Sequence, residues 1–230
     1  MMNRQRVICL ISALIITVCG SYAQDTSRAI SKESFSTDQL KEWQLLGDGV
    51  VSNWGKQLSL KESDTSKGVM LVSPDTYQGD ITVKYSVLAL TPATVIVTML
   101  SISDLGDSDE LTIPDDYNGS IGLWNKDKES YFFAFKNAPH GVTPFVRKNP
   151  NSTGPLAAAK ENVMIAGVTY DVEIGRMGTN LWLTIDGEKI FEAVDDKPLK
   201  AGRIAIRLRG TAGFPAGCLI RDLVVTGNKQ

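Results

Sequence analysis

From Trp43 onward the apolar residues of the chain recur at every second position, the spacing of strands with one covered face. Asp80–Leu90 places Ile81, Val83, Tyr85 and Val87 on one side. Ser130–Lys136 sets Tyr131, Phe133 and Phe135 against Phe132, Ala134 and Lys136. Gly202–Arg209 sets Ile204, Ile206 and Leu208 against Arg203, Ala205, Arg207 and Arg209. Thr94–Ile102 is almost continuously apolar and β-branched, as a strand covered on both faces would be. The same reasoning predicts strands over Gln57–Lys61, Val69–Ser73, Ser120–Trp124, Thr169–Arg176, Asn180–Ile185, Glu188–Ala193 and Leu219–Val225. Asp186-Gly187 between two of them is a two-residue hairpin turn. Helical spacing is nearly absent, with one helical turn expected near Leu156–Glu161. Many short strands with turn punctuation predict an all-β sandwich or barrel.

The pattern breaks before Trp43. Arg4 and Arg6 precede an apolar run from Val7 to Val18, which is short for a membrane span, and Ser21-Tyr22-Ala23 offers small residues at a cleavage site. Residues 1–23 are therefore expected to be a secretory signal, 24–40 a flexible polar leader, and 41–227 a single β domain. A lipid anchor on Cys19 is the alternative, made less attractive by the bulky Val18 before it. At 230 residues, 43% hydrophobic and 22% charged, the composition is that of an ordinary globular protein. Its net charge of −2 grows more negative once Arg4 and Arg6 are removed, which argues against a nucleic-acid partner. Cys218 is the one cysteine beyond the signal, so no internal disulfide is expected, and its apolar neighbours predict a buried thiol.

The stretch "YDVEIGRMGTNLWLTIDGEKIFEAVDD", followed by "AGRIAIRLRG" and "CLIRDLVV", resembles the closing strands of concanavalin A-like (laminin G-like) jelly rolls. Within them the chain is most similar to the YesU-like proteins of bacterial polysaccharide utilisation and, more distantly, to the 3-keto-disaccharide hydrolases. The likeness covers about Trp43 to Gly227, and "TPFVRKNP" is its YesU-like feature. The Gly-Asn-Ser-Gly motif of the keto-disaccharide hydrolases is missing. The resemblance implies a β-jelly-roll sandwich of two antiparallel sheets. It also implies an exported bacterial protein, periplasmic or on the cell surface, that handles oligo- or polysaccharide in a concave cleft.

One segment concentrates candidate chemistry. Lys136, Asn137, His140, Arg147, Lys148 and Asn149 crowd together directly after the aromatic strand, and His140 is the only histidine. An imidazole titrates near neutrality and serves as general base or acid. Arginine grips a carboxylate with two parallel hydrogen bonds. Cations beside a base suit a uronic acid. His140 or Tyr131 would take the C5 proton in an elimination, with Arg147, Lys148 or Asn137 on the carboxylate. His140, Tyr131, Arg147 and Lys148 are thus the candidate catalytic residues; Lys136, Asn137 and Asn149 would contact substrate. Trp124, before a charged turn, is the candidate sugar-stacking residue, and Glu129, an isolated acid beside the aromatic strand, is also expected to contact substrate. Trp182 alternates with Leu181 and Leu183 and is expected in the core. Glu173 shares a face with Asp171, an exposed one.

Asp104, Asp107, Asp109, Glu110, Asp115 and Asp116 make an acidic stretch expected to be a polar loop at the cleft rim. Its spacing does not fit a calcium-binding EF-hand, so a structural calcium is a minor alternative to no cofactor at all. One histidine and one mature cysteine exclude a transition-metal cluster. The paired acids of jelly-roll glycosidases are not spelled out, and no Gly-x-Ser-x-Gly elbow is present. The expected function is that of a glycoside hydrolase or polysaccharide lyase on oligo- or polysaccharide, uronates among its candidate sugars. The alternative is a non-catalytic carbohydrate-binding module or accessory protein of glycan uptake.

Overall fold

The computed structural model describes residues 30–106, 108–136, 143–150 and 153–230. In chain order its elements are β1 (Ser31–Phe35), α1 (Thr37–Lys41), β2 (Gln44–Gly47), β3 (Gly49–Trp54), β4 (Gln57–Glu62), β5 (Val69–Ala89), β6 (Thr94–Asp104), α2 (Gly122–Lys126), β7 (Lys128–Lys136) and β8 (Phe145–Asn149). Then come β9 (Ala157–Ala158), β10 (Thr169–Met177), β11 (Asn180–Ile185), β12 (Glu188–Val194), β13 (Ala201–Gly210) and β14 (Gly217–Lys229). All strand pairs are antiparallel.

β5 is 21 residues long and belongs to two layers. Its first half pairs with β2 and β13, and β6, β7, β8 and β9 continue that layer outward from β13. Its second half pairs with β10 and β14; β11 and β12 extend the layer on one side, and β4, β3 and β1 on the other. The strand changes layer near Gly79, whose φ of +69° suits glycine. The buried Arg176 guanidinium holds that bend by donating to the carbonyls of Gly79, Leu199 and Lys200.

The main core lies between the layers. Ile204, Ile206 and Leu208 of β13 and Tyr131, Phe133 and Phe135 of β7 face Ile81, Val83, Leu181, Leu183, Ile220 and Val225 across it. The alternation in β5, β7 and β13 thus points the apolar set where the period-two pattern requires. Cys218 is buried in this core, and burial pushes its thiol pKa up to about 12.

Several sequence expectations differ from the structure. The leader reaches less far than residue 40: β1 pairs with β14, and α1 follows with Ser36 and Gln39 forming a reciprocal capping box. Ser120–Trp124 is not a strand; α2 takes over there. The helical turn near Leu156–Glu161 is absent, and Ala157–Ala158 instead pairs with β8. The acidic stretch does more than line a rim. Leu111, Ile113, Tyr117, Ile121, Leu123 and Trp124 lay the 108–127 segment over the outer face of β5, β6, β7 and β13, closing a second core on Met70, Val72, Val97, Met99 and Ala205. Asp109, Glu110, Asp115 and Asp116 stay on the solvent side because the apolar residues between and after them need the sheet.

Candidate functional site

The 108–127 segment covers only part of this outer face. Beyond it lies a cavity of about 550 Å³. Val95 and Val97 of β6, Phe132 and Ala134 of β7, Phe145 and Arg147 of β8 and Arg207 and Arg209 of β13 line it, with Lys67, Ser120 and Ile121 at its margin. Strand order β13-β6-β7-β8 and the two-residue period bring these together. Phe132 and Phe145 stack at 6.0 Å between centroids, 20° apart, and the Arg147 guanidinium sits 4.4 Å from the Phe132 centroid.

The charges in this cavity are one-sided. Arg207 is 4% exposed. Its Nη2 donates to the backbone carbonyls of Lys67 and Gly119, each at 2.9 Å. Arg147 donates to Asn125 Oδ1. Among the described residues neither guanidinium has a carboxylate partner, and the Nε of each is buried without a hydrogen-bond acceptor. Burial, then the neighbouring Arg207, lowers the pKa of Arg147; burial lowers that of Arg207, with Tyr117 and the more distant Glu62 carboxylate working against it. Both remain cations at any physiological pH. Arg209 differs, since Glu62 holds it at 3.1 Å.

Three glycines build the seat of Arg207. A Cβ on Gly68 would come within 2.3 Å of its Nη2, while a Cβ on Gly47 or Gly119 would strike the Gly68 carbonyl at 2.1 or 1.9 Å. The backbones of β2, of the turn before β5 and of the covering segment therefore touch directly, and two of their carbonyls face the guanidinium.

The sequence candidates scatter over this frame. Of them, Arg147 lies in the cavity. Lys148, one residue on, points through the sheet to the other side, where it meets Asp195 at 2.8 Å. Tyr131 lies there too, fully buried, donating to Asp195 Oδ2 at 2.6 Å and accepting from the Leu199 N–H at 2.9 Å. Its ring has no surface for a sugar and its hydroxyl no path to a substrate. Trp124 has 0% exposure. Its Nε1 donates to Tyr117 Oη at 2.6 Å, so it supports the covering segment rather than stacking on a ligand. Asn149 is buried and donates to Ser130 Oγ at 3.0 Å. Glu129 accepts a 3.4 Å bond from the Gly106 N–H, outside the cavity lining. The Lys136 backbone pairs with Val95. The Lys136 side chain, Asn137 and His140 lie outside the described residues.

Trp182 corrects a further expectation: Leu181 and Leu183 turn inward, which puts Trp182 on the outer face of the other layer. Among the described residues no group of three or more histidines, cysteines and acids is placed to hold a metal, and Asp104 is engaged by Lys128 and the Thr112 N–H. Sequence reasoning missed Arg207, Arg209, Lys67 and Phe145 as site residues. The available signal was Arg203, Arg207 and Arg209 on one face of a strand whose other face is fully apolar.

No family model and no curated protein sequence matches the chain. Solved structures do. A Bacillus subtilis protein of unknown function with a galectin-like fold superposes with a TM-score of 0.71 at 15% identity, over 87% of this chain and 99% of that one. The carbohydrate-binding module CBM66 from Bacillus subtilis gives 0.54 at 11% identity, over 79% and 92%. A native glycosidic hydrolase gives 0.56 at 11% identity, over 85% and 95%. The fold is the all-β, galectin-like and concanavalin A-like jelly roll of two antiparallel layers.

Proposed function

We propose that this chain is an exported carbohydrate-binding protein that takes an acidic saccharide into the concave cavity. Its uronate carboxylate would lie between Arg147 and Arg207. The observation that carries this is a pair of guanidinium groups, Arg207 buried and Arg147 half-buried, that bond to neutral oxygens and have no ion-paired carboxylate among the described residues. Burying a charge without a counter-charge is expensive, and an anionic ligand supplies the missing partner. The Phe145 ring and the aliphatic floor of Val95, Val97 and Ala134 offer apolar contact for the sugar's C–H faces. The carbohydrate-binding and glycosidic structures that share the fold support the ligand class, and the resemblance of the closing strands to YesU-like proteins supports export and a glycan-handling role. Among the described residues the cavity lining holds no carboxylate, whereas glycosidic hydrolysis uses two, so we favour binding. Elimination is the second reading. The same cation pair would neutralise the uronate carboxylate that elimination requires, with His140 as its base.

Calorimetric titration with uronate, sulfated and neutral oligosaccharides of matched length tests this. Uronate should bind, neutral sugar should not compete, and Arg147→Ala should weaken uronate binding about tenfold or more, the loss of a charge-assisted hydrogen bond. Equal affinity for neutral and acidic sugars, or an Arg147→Ala variant that binds as the wild type does, removes the proposal. Preference for sulfate over uronate would keep the site and change the anion. Ultraviolet absorbance from an unsaturated uronate would move the reading to elimination.

A further inference from the structure

The outer face of the second layer carries a groove of about 720 Å³ across β5, β10, β11 and β12. Trp182 is half-buried in it and stands directly opposite Gly175 in the β10–β11 register. A Cβ at position 175 would lie 2.1–2.6 Å from Cζ2, Cη2 and Cε2 of the indole, so its six-membered ring sits on the bare backbone of β10. The indole is held at its edge: Nε1 donates to Glu173 Oε1 at 3.1 Å, and Lys84 grips the same carboxylate at 2.7 Å. The ring is thus fixed in place before any ligand arrives, one side on the sheet and the rest towards the groove.

Both rim lysines are held by rim carboxylates. Lys84 pairs with Glu173, Lys189 with Glu192 at 3.1 Å, and Ser86 Oγ donates to Asp171 Oδ1 at 2.5 Å. Asp171, Glu173, Glu192 and Asp222 outnumber Lys84 and Lys189 along the lining. A groove of this kind repels an acidic saccharide. It offers instead a fixed aromatic surface for the C–H face of a pyranose, ringed by carboxylates and Thr184, which bond to sugar hydroxyls.

We propose that the Trp182 groove is a second glycan site, selective for neutral saccharide, on the face opposite the cation-lined cavity. The proposal does not depend on the reading of that cavity. The chain would then hold two glycan segments of different charge at once.

Affinity electrophoresis of the full mature chain through gels containing soluble neutral polysaccharides (β-glucan, xyloglucan, glucomannan and mannan) tests it. The wild type should be retarded in at least one gel. Arg147→Ala should be retarded equally, and Trp182→Leu, which keeps an apolar cover over Gly175, should lose at least tenfold in affinity while melting like the wild type. Glu192→Ala, at an exposed position on the rim, should weaken retardation severalfold, and decides the matter if Trp182→Leu does not fold. Free migration of the wild type in every neutral gel overturns the proposal. Retardation that survives Trp182→Leu, or that Glu192→Ala leaves unchanged when Trp182→Leu fails to fold, does so as well. Retardation lost in Arg147→Ala but kept in Trp182→Leu would place neutral binding in the concave cavity and also overturn it.

Discussion

Arg147 and Lys148 are adjacent cations on one five-residue strand, and they have opposite circumstances. Lys148 faces the gap between the layers, where Asp195 pairs with it at 2.8 Å and Tyr131 donates to the same carboxylate at 2.6 Å. Arg147 faces the concave cavity, stacks on Phe132 and has no acid among the described residues. The first cation is consumed by the fold and the second is left over. The proposed anion site rests on this difference: the fold supplies a counter-charge to the one cation and none to the other. The outer groove follows the same logic. Its two cations are both paired and its carboxylates are in excess, so the proposed site there rests on Trp182 and on ligands without charge.

The comparison predicts that damage on the two sides of β8 will show in different measurements. Asp195→Ala removes the acceptor of Tyr131 and the partner of Lys148 together, and should cost about 1.5–3 kcal/mol of stability, the range for hydrogen bonds to a charged group. Denaturant titration would show this, while calorimetry with the uronate ligand should find affinity within twofold of wild type. A loss of affinity as large as that of Arg147→Ala would collapse the distinction. Lys148→Met should do less. Its side chain is 29% exposed and keeps its apolar stem, so the expected cost is below about 1 kcal/mol, again without loss of binding.

Much of the fold was legible because it rests on local period. The alternation in β7 and β13 separated the two faces of each strand, though it did not show that the β7 face with Tyr131 is the core one. Asp186-Gly187 forms its hairpin turn with φ of +51° and +80°. Even the early start of the domain was written in Ser36-Thr37-Asp38-Gln39, the reciprocal cap that opens α1. The cation site was half legible. Arg147 stood out in its segment, but Arg207 is its neighbour only because β13, β6, β7 and β8 lie side by side, which no spacing along the chain reveals. The covering segment was hidden for a different reason. Leu111, Ile113, Tyr117, Ile121 and Leu123 follow neither a strand nor a helix period, and the acids between them read as solvent. Trp124 was misassigned with it: its site character depended on exposure, and that segment removes the exposure. Nor could sequence show that Gly47, Gly68 and Gly119 meet.

The smallest expected effect sharpens the contrast through pH. Partial burial raises the Asp195 pKa, but hydrogen bonds from Lys148, Tyr131 and the Lys197 N–H outweigh it and leave the carboxyl below its usual range. A group with a depressed folded pKa stabilises the protein above its unfolded value, about 3.9, and that contribution fades as pH falls through the folded value. Asp195→Asn keeps an acceptor for Tyr131 and loses only the charge. The gap in melting temperature between wild type and this variant should be constant from neutral pH to about pH 5 and should narrow below about pH 4. Arg147 and Arg207 stay charged throughout, so their side of the sheet adds nothing to this narrowing. A gap that persists unchanged in acid would show that Asp195 serves by shape and hydrogen bonding alone. The paired cation would then be less different from the unpaired one than the geometry implies.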